Sequence, residues 1–211
     1  MSRSALVAAY RVVFALLAIV AIVTQAVSLA NLNAFRPGNF FSFFTILSNL
    51  IAIVVFLVGA ARWRSRRSDR FDLVRGAAVV YMTITGIVYF FLLSGIEVDT
   101  SVPWVNAVVH QVMPIVVVAD WLIDPPVARL TQRQGLLWLC FPAAWTVYTL
   151  IRGPIAHWYP YPFLNPANGG YGVVLLYCLG ILILFVVVCA AAVAVANALG
   201  GRRRRVASIA G

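Results

Sequence analysis

The sequence predicts an all-α polytopic membrane protein, a bundle of six transmembrane helices with both termini in the cytoplasm. Three observations lead there. The chain is 63% hydrophobic and only 10% charged, with a mean hydropathy of +0.96, and a soluble domain cannot cover so much apolar surface with charge. Its apolar runs reach the roughly 20 residues that cross a bilayer as a helix. Short polar breaks separate them, and arginines sit at those breaks. The whole chain, 1–211, reads as one integral membrane domain.

The first span is predicted over residues 8–29, with Arg3 and Arg11 at its start. A cleavable signal peptide is the competing reading, since Ala26-Val27-Ser28 fits a cleavage pattern, but the apolar stretch exceeds an ordinary signal core and favours a retained helix. The second span covers 40–61, the third 73–94 and the fourth 104–123, ended by Pro125-Pro126 because proline cannot continue a helix. The fifth covers 135–151, closed by Gly153-Pro154, and the sixth 171–199.

Orientation follows from the basic residues, all 16 of them arginine. Arg62, Arg64, Arg66, Arg67, Arg70 and Arg75 join spans two and three, Arg129 and Arg133 join four and five, and Arg202–Arg205 follow span six. With Arg3 and Arg11 these lie on one side, against Arg36 and Arg152 on the other. The positive-inside rule makes the rich side cytoplasmic. A net charge of +10 then belongs to membrane flanks and not to nucleic-acid binding. The three cysteines, Cys140, Cys178 and Cys189, fall inside apolar runs without metal-ligand spacing and read as free thiols. No cofactor or metal is expected: two histidines are too few for a di-metal site, and only His110 lies within a span, which disfavours bis-histidine haem ligation.

The polar residues inside the spans share one depth. Thr45 lies roughly 7–8 Å below the outer start of span two and His110 roughly 9 Å below that of span four, at 1.5 Å per residue. Ser42, Thr45 and Asn49 form a stripe, Asn106 stands one turn above His110, and Trp145, Tyr148, Thr149 and Arg152 follow helical spacing on span five. Thr24, Gln25 and Ser28 end span one, while the inner halves are mostly Val, Leu, Ile and Ala. Polar groups in lipid usually face the bundle interior or a wet cavity, so a pocket opening outward is expected. Each residue also has a structural explanation. A membrane threonine usually bonds its own i−4 carbonyl, a lone histidine often ties helices together, Arg152 can snorkel to headgroups, and His157–Phe163 reads as an interfacial aromatic belt. Asp120, roughly 15 Å below His110, cannot complete a triad with it and is expected to pair with an arginine near the cytoplasmic surface.

Phe43-Phe44-Thr45-Ile46-Leu47 resembles the segment carrying the nucleophilic threonine in the androgen-induced family of transmembrane threonine hydrolases. Trp104-Val105-Asn106-Ala107-Val108-Val109-His110, with Pro114, is similar to that family's second motif, and Trp158-Tyr159-Pro160-Tyr161-Pro162-Phe163-Leu164 to its aromatic motif before the last helix. With Ala107 where the vertebrate branch has a second histidine, and Asp120-Trp121 following, the chain most resembles the bacterial six-helix relatives.

The resemblance implies a hydrolase of lipid (fatty-acid) esters in a bacterial plasma membrane, with Thr45 the nucleophile and His110 its general base. Asn106 or a backbone carbonyl must then orient the imidazole, since no carboxylate is at hand. Asn49, Tyr148 and Arg152 are the candidate donors to a developing oxyanion. The expected partners are membrane lipids and a lipid-like substrate entering from the outer leaflet; no nucleic acid and no soluble partner is implied. The alternative is a non-enzymatic membrane protein that binds or carries a lipid or small molecule, its polar layer gluing helices together.

Overall fold

A computed structural model describes residues 2–65, 68–95, 102–126 and 129–209, the stretch 202–209 by its backbone alone. Arg66 and Arg67, and the side chains of Arg202–Arg205, fall outside the described residues. Among the described residues six helices are long and apolar enough to cross a bilayer: α1 (Arg3–Asn31), α2 (Phe44–Ala61), α3 (Asp69–Leu93), α4 (Pro103–Ile123), α5 (Gln132–Ala156) and α6 (Gly170–Ile209). The chain is an all-α, six-helix, multi-pass membrane protein.

Each helix begins and ends for a local reason. Ser2 caps α1, its hydroxyl accepting from the Ala5 N–H. Thr131 and Gln134 form a reciprocal capping box that starts α5. α2 begins at Phe44 and not at residue 40, because Pro37–Phe40 closes a helical turn of its own, preset by Pro37 at its first position. α5 continues through Gly153-Pro154 to Ala156 and ends where His157 takes a left-handed conformation, φ 48°. A proline so near the C-terminus removes one ladder bond without stopping the helix. α6 runs past residue 199 because arginine is a good helix former and nothing there breaks the ladder.

Packing is centred on α2, the most enclosed span. α1 packs along it and buries the small residues Ala15, Ala18 and Ala21, which allow close backbone approach. Tryptophan and tyrosine pin the other helices: Trp138 Nε1 donates to the Leu73 carbonyl, Tyr81 to the Trp138 carbonyl, and Trp121 Nε1 to the Ala192 carbonyl. Gly76 is required where Trp138 crosses α3, since a Cβ there would lie 2.1 Å from the indole. α5 and α6 expose most of their length, as a lipid-facing helix does.

The end of the bundle holding Arg3 is not the apolar half expected from the sequence. Arg11 and Arg75 are not flanking charges; they lie within α1 and α3 and are buried. Asp120 receives both, from Arg11 Nε at 2.7 Å and Arg75 Nη2 at 2.8 Å. Asp124 pairs with Arg11 at 3.0 Å and Asp72 with Arg75 at 3.0 Å. Two cations and three carboxylates thus fasten α1, α3 and α4 where no single charge could stay buried alone. Asp120 is committed to this cluster and, as its depth on α4 implies, does not reach His110.

Candidate active site

At the end away from that cluster, Thr45 and His110 meet. Thr45 is the second residue of α2, so its hydroxyl has no i−4 helical carbonyl to bond and its N–H no intrahelical acceptor. Both turn to other partners. Thr45 Oγ1 lies 3.2 Å from His110 Nε2 and 3.2 Å from the Tyr161 hydroxyl, and the Thr45 N–H donates to that same hydroxyl at 3.2 Å. Thr45 is 5% exposed and His110 8%.

The imidazole is aimed by a defect in α4. Residues Val108–Val112 form a π turn, in which the Met113 N–H bonds the Val108 carbonyl. An α register would have sent that N–H to Val109. A continued π register would have served Val109 from residue 114, but Pro114 has no N–H. The Val109 carbonyl is therefore left without a helical donor, and Asn49 Nδ2 supplies one from α2 at 3.1 Å while also donating to the Thr45 carbonyl at 2.9 Å. π turns of this kind recur at functional sites. A second one, Tyr89–Leu93, ends α3 at the same level. There Tyr89 stacks on the His110 ring, with centroids 4.4 Å apart, and accepts a 2.7 Å hydrogen bond from Asn106 Nδ2.

The directions of these bonds are fixed by what each atom can do. The Asn106 carbonyl only accepts, so His110 Nδ1, 3.2 Å away, donates to it. In the neutral ring Nε2 is then an acceptor facing Thr45. Thr45 Oγ1 therefore donates to Nε2, so the phenol, whose oxygen also accepts from the Thr45 N–H, donates in its bond to Thr45 Oγ1. One chain of bonds therefore runs from Tyr161 through the threonine hydroxyl and the imidazole to the Asn106 carbonyl. It is the order a hydroxyl nucleophile and a general base require. Burial pushes the Tyr161 phenol above its ordinary range against the opposing effect of its bonds to Thr45, so it stays a donor.

The three oxyanion donors expected from the sequence direct their bonds elsewhere. Both Asn49 amide protons go to backbone carbonyls. The Tyr148 hydroxyl, on a side chain 47% exposed, bonds Ser42 at 2.9 Å, and Arg152 Nη2 bonds Asn39 at 2.7 Å while its guanidinium lies over Trp158. Tyr161 instead turns its hydroxyl to Thr45 Oγ1 itself. Pro162 starts a short 3₁₀ turn that follows it, and the ring packs against Phe43, Trp145 and Phe163. Tyr161 and Leu164 are buried, so this loop is folded into the bundle and is not only an aromatic belt.

Thr45 separates two hollows. One, of ≈ 130 Å³, lies beside the 31–39 loop and is lined by His110, Gln25, Arg36 and Asn39 and by a larger apolar wall that includes Leu29, Phe40 and Val109. The other, of ≈ 60 Å³, lies on the Tyr161 side among Ile84, Val88, Trp145, Leu164, Ile181 and Phe185. Among the described residues no group of three or more His, Cys, Asp or Glu side chains could hold a metal ion. No family model, curated protein or solved structure matches the chain.

Proposed function

We propose that the protein is an intramembrane hydrolase of lipid esters, with Thr45 as nucleophile and His110 as general base. The observation that carries this reading is the 3.2 Å approach of Thr45 Oγ1 to His110 Nε2 inside a buried site bordered by two cavities. The likeness of the Thr45, His110 and Tyr161 segments to the androgen-induced threonine hydrolases and their bacterial relatives points the same way. The positive-inside rule puts the arginine-rich end in the cytoplasm. The site then lies in the outer leaflet of a bacterial plasma membrane, within reach of water through the loop side and of lipid from the flank.

The chemistry balances in two stages. Thr45 Oγ1 adds to the ester carbonyl as its proton passes to His110 Nε2, and Tyr161 donates to the oxyanion. Collapse expels the alcohol, which takes the proton back from His110 and leaves an acyl-threonine. Water then gives a proton to His110 and attacks the acyl carbon; collapse releases the fatty acid and returns the proton to Thr45. The Asn106 carbonyl, holding Nδ1–H, keeps the ring aligned and supports the positive charge it carries between steps.

The alternative is a lipid binder without activity, favoured by the fact that Thr45, Asn49 and His110 also join α2 to α4. The two readings part on substitution. With purified protein and a panel of long-chain esters, hydrolysis is expected to persist in part in Thr45→Ser and to vanish in Thr45→Val. A binder would hydrolyse nothing in any form, and its two variants would differ only in stability.

A further inference from the structure

The apolar hollow beside Thr45 abuts a second, larger one. Val88 and Ile181 line it, and the same two residues line a groove of ≈ 680 Å³ between α3 and α6. That groove is walled by aliphatic and aromatic side chains, and Phe91 and Leu176 on its rim are largely exposed on the flank that faces lipid. The π turn of α3 lies along it. Gly180 lies in its α6 wall, where an added Cβ would meet no atom within 4 Å, so packing does not demand glycine and its absent side chain leaves the groove open.

Resting on the hydrolase reading, we propose that this track is the acyl-chain site. A long-chain ester enters sideways from the bilayer between α3 and α6 and lays its acyl chain along Val88 and Ile181 to Thr45. The assignment of sides follows from the chemistry. The hollow with Tyr161 takes the acyl carbonyl, whose oxyanion that hydroxyl meets. The hollow with His110, Arg36 and Asn39 takes the alcohol half, which His110 protonates as it leaves and which departs toward water. An acyl chain is the fitting occupant because the track is mainly apolar, with Thr85 and Thr146 among the polar residues of its lining besides Thr45 and Tyr161, and its groove lies on the outer flank, where a polar ligand would lose its solvation.

Gly180→Trp tests this without touching Thr45 or its partners, and Gly172→Trp, on the same helix at an equally open position outside the groove, serves as its control. Hydrolysis of a palmitoyl ester and of a water-soluble butyryl ester is measured, alongside photocrosslinking of a diazirine-bearing palmitoyl ester mapped by peptide. Gly180→Trp is expected to lower kcat/KM for the palmitoyl ester by roughly tenfold or more and leave the butyryl ester unchanged, with adducts on residues 84–88 and 178–185 lost. Gly172→Trp is expected to match wild type throughout. Wild-type palmitoyl turnover in Gly180→Trp, or adducts only on outward-facing residues, means the groove holds annular lipid alone and overturns the proposal while the Thr45 chemistry stands. Adducts in the track without any Thr45-dependent hydrolysis would keep the acyl site and sink the hydrolase.

Discussion

Replacing Tyr161 with phenylalanine separates what its hydroxyl does from what its ring does. The ring is held by Phe43, Trp145 and Phe163, the last stacked at 5.3 Å, so Phe fills the same space and opens no cavity. The hydroxyl makes two bonds, accepting from the Thr45 N–H and donating to Thr45 Oγ1. Its removal leaves that N–H buried without an acceptor, a loss of about 1–3 kcal/mol of stability. On the proposed mechanism the same change removes the donor assigned to the oxyanion, and loss of such a donor lowers kcat by about 10²–10³. KM should change little, because the bond to the oxyanion exists only in the transition state. The assay is steady-state hydrolysis of a palmitoyl ester in detergent micelles, with the folded fraction taken from a thermal melt of the same sample. A Tyr161→Phe enzyme with wild-type kcat would refute the donor role, whatever the melt shows.

Two further outcomes follow from the packing. Asp120→Asn removes the carboxylate shared by Arg11 and Arg75, which keep Asp124 and Asp72, and should lower unfolding stability by about 1–3 kcal/mol; a denaturant titration in detergent that matches wild type would show that Asp120 does not hold the cluster together. Gly153→Ala places a Cβ 2.0 Å from the Tyr159 ring, which must shift the loop carrying Tyr161. It should cost about 1–3 kcal/mol and reduce turnover with it, and an unchanged melting temperature would show that the loop yields freely.

Depth and rotation explain what the sequence disclosed. Rise per residue is constant along a helix, so hydropathy located the six spans, and counting put Thr45 and His110 at a common level where the structure brings them together. Rotation about the helix axis is set by neighbours, and there counting fails. Asn49, Tyr148 and Arg152 share the level of Thr45 yet point at Val109, Ser42 and Asn39. The π turn under His110 follows no hydrophobic period; Pro114 was its visible trace. Tyr161 reads as an interfacial aromatic and Tyr89 carries no sequence signal, because only a folded loop and a second π turn direct them to Thr45 and His110. Arg11 and Arg75 stand next to the arginine-rich breaks in the sequence and read as part of them. Three carboxylates from α3, α4 and the end of α4 draw them inside, a convergence that exists only in three dimensions.

In the proposed mechanism the Thr45 hydroxyl, and no other side chain, attacks under the control of His110. A fluorophosphonate probe reports this directly, since it bonds covalently to an activated hydroxyl. Peptide mass spectrometry of the labelled protein should place a single adduct on Thr45, and labelling should disappear in both Thr45→Ala and His110→Ala while a thermal melt shows each still folded. Labelling that persists in either folded variant, or an adduct on another residue, contradicts the account.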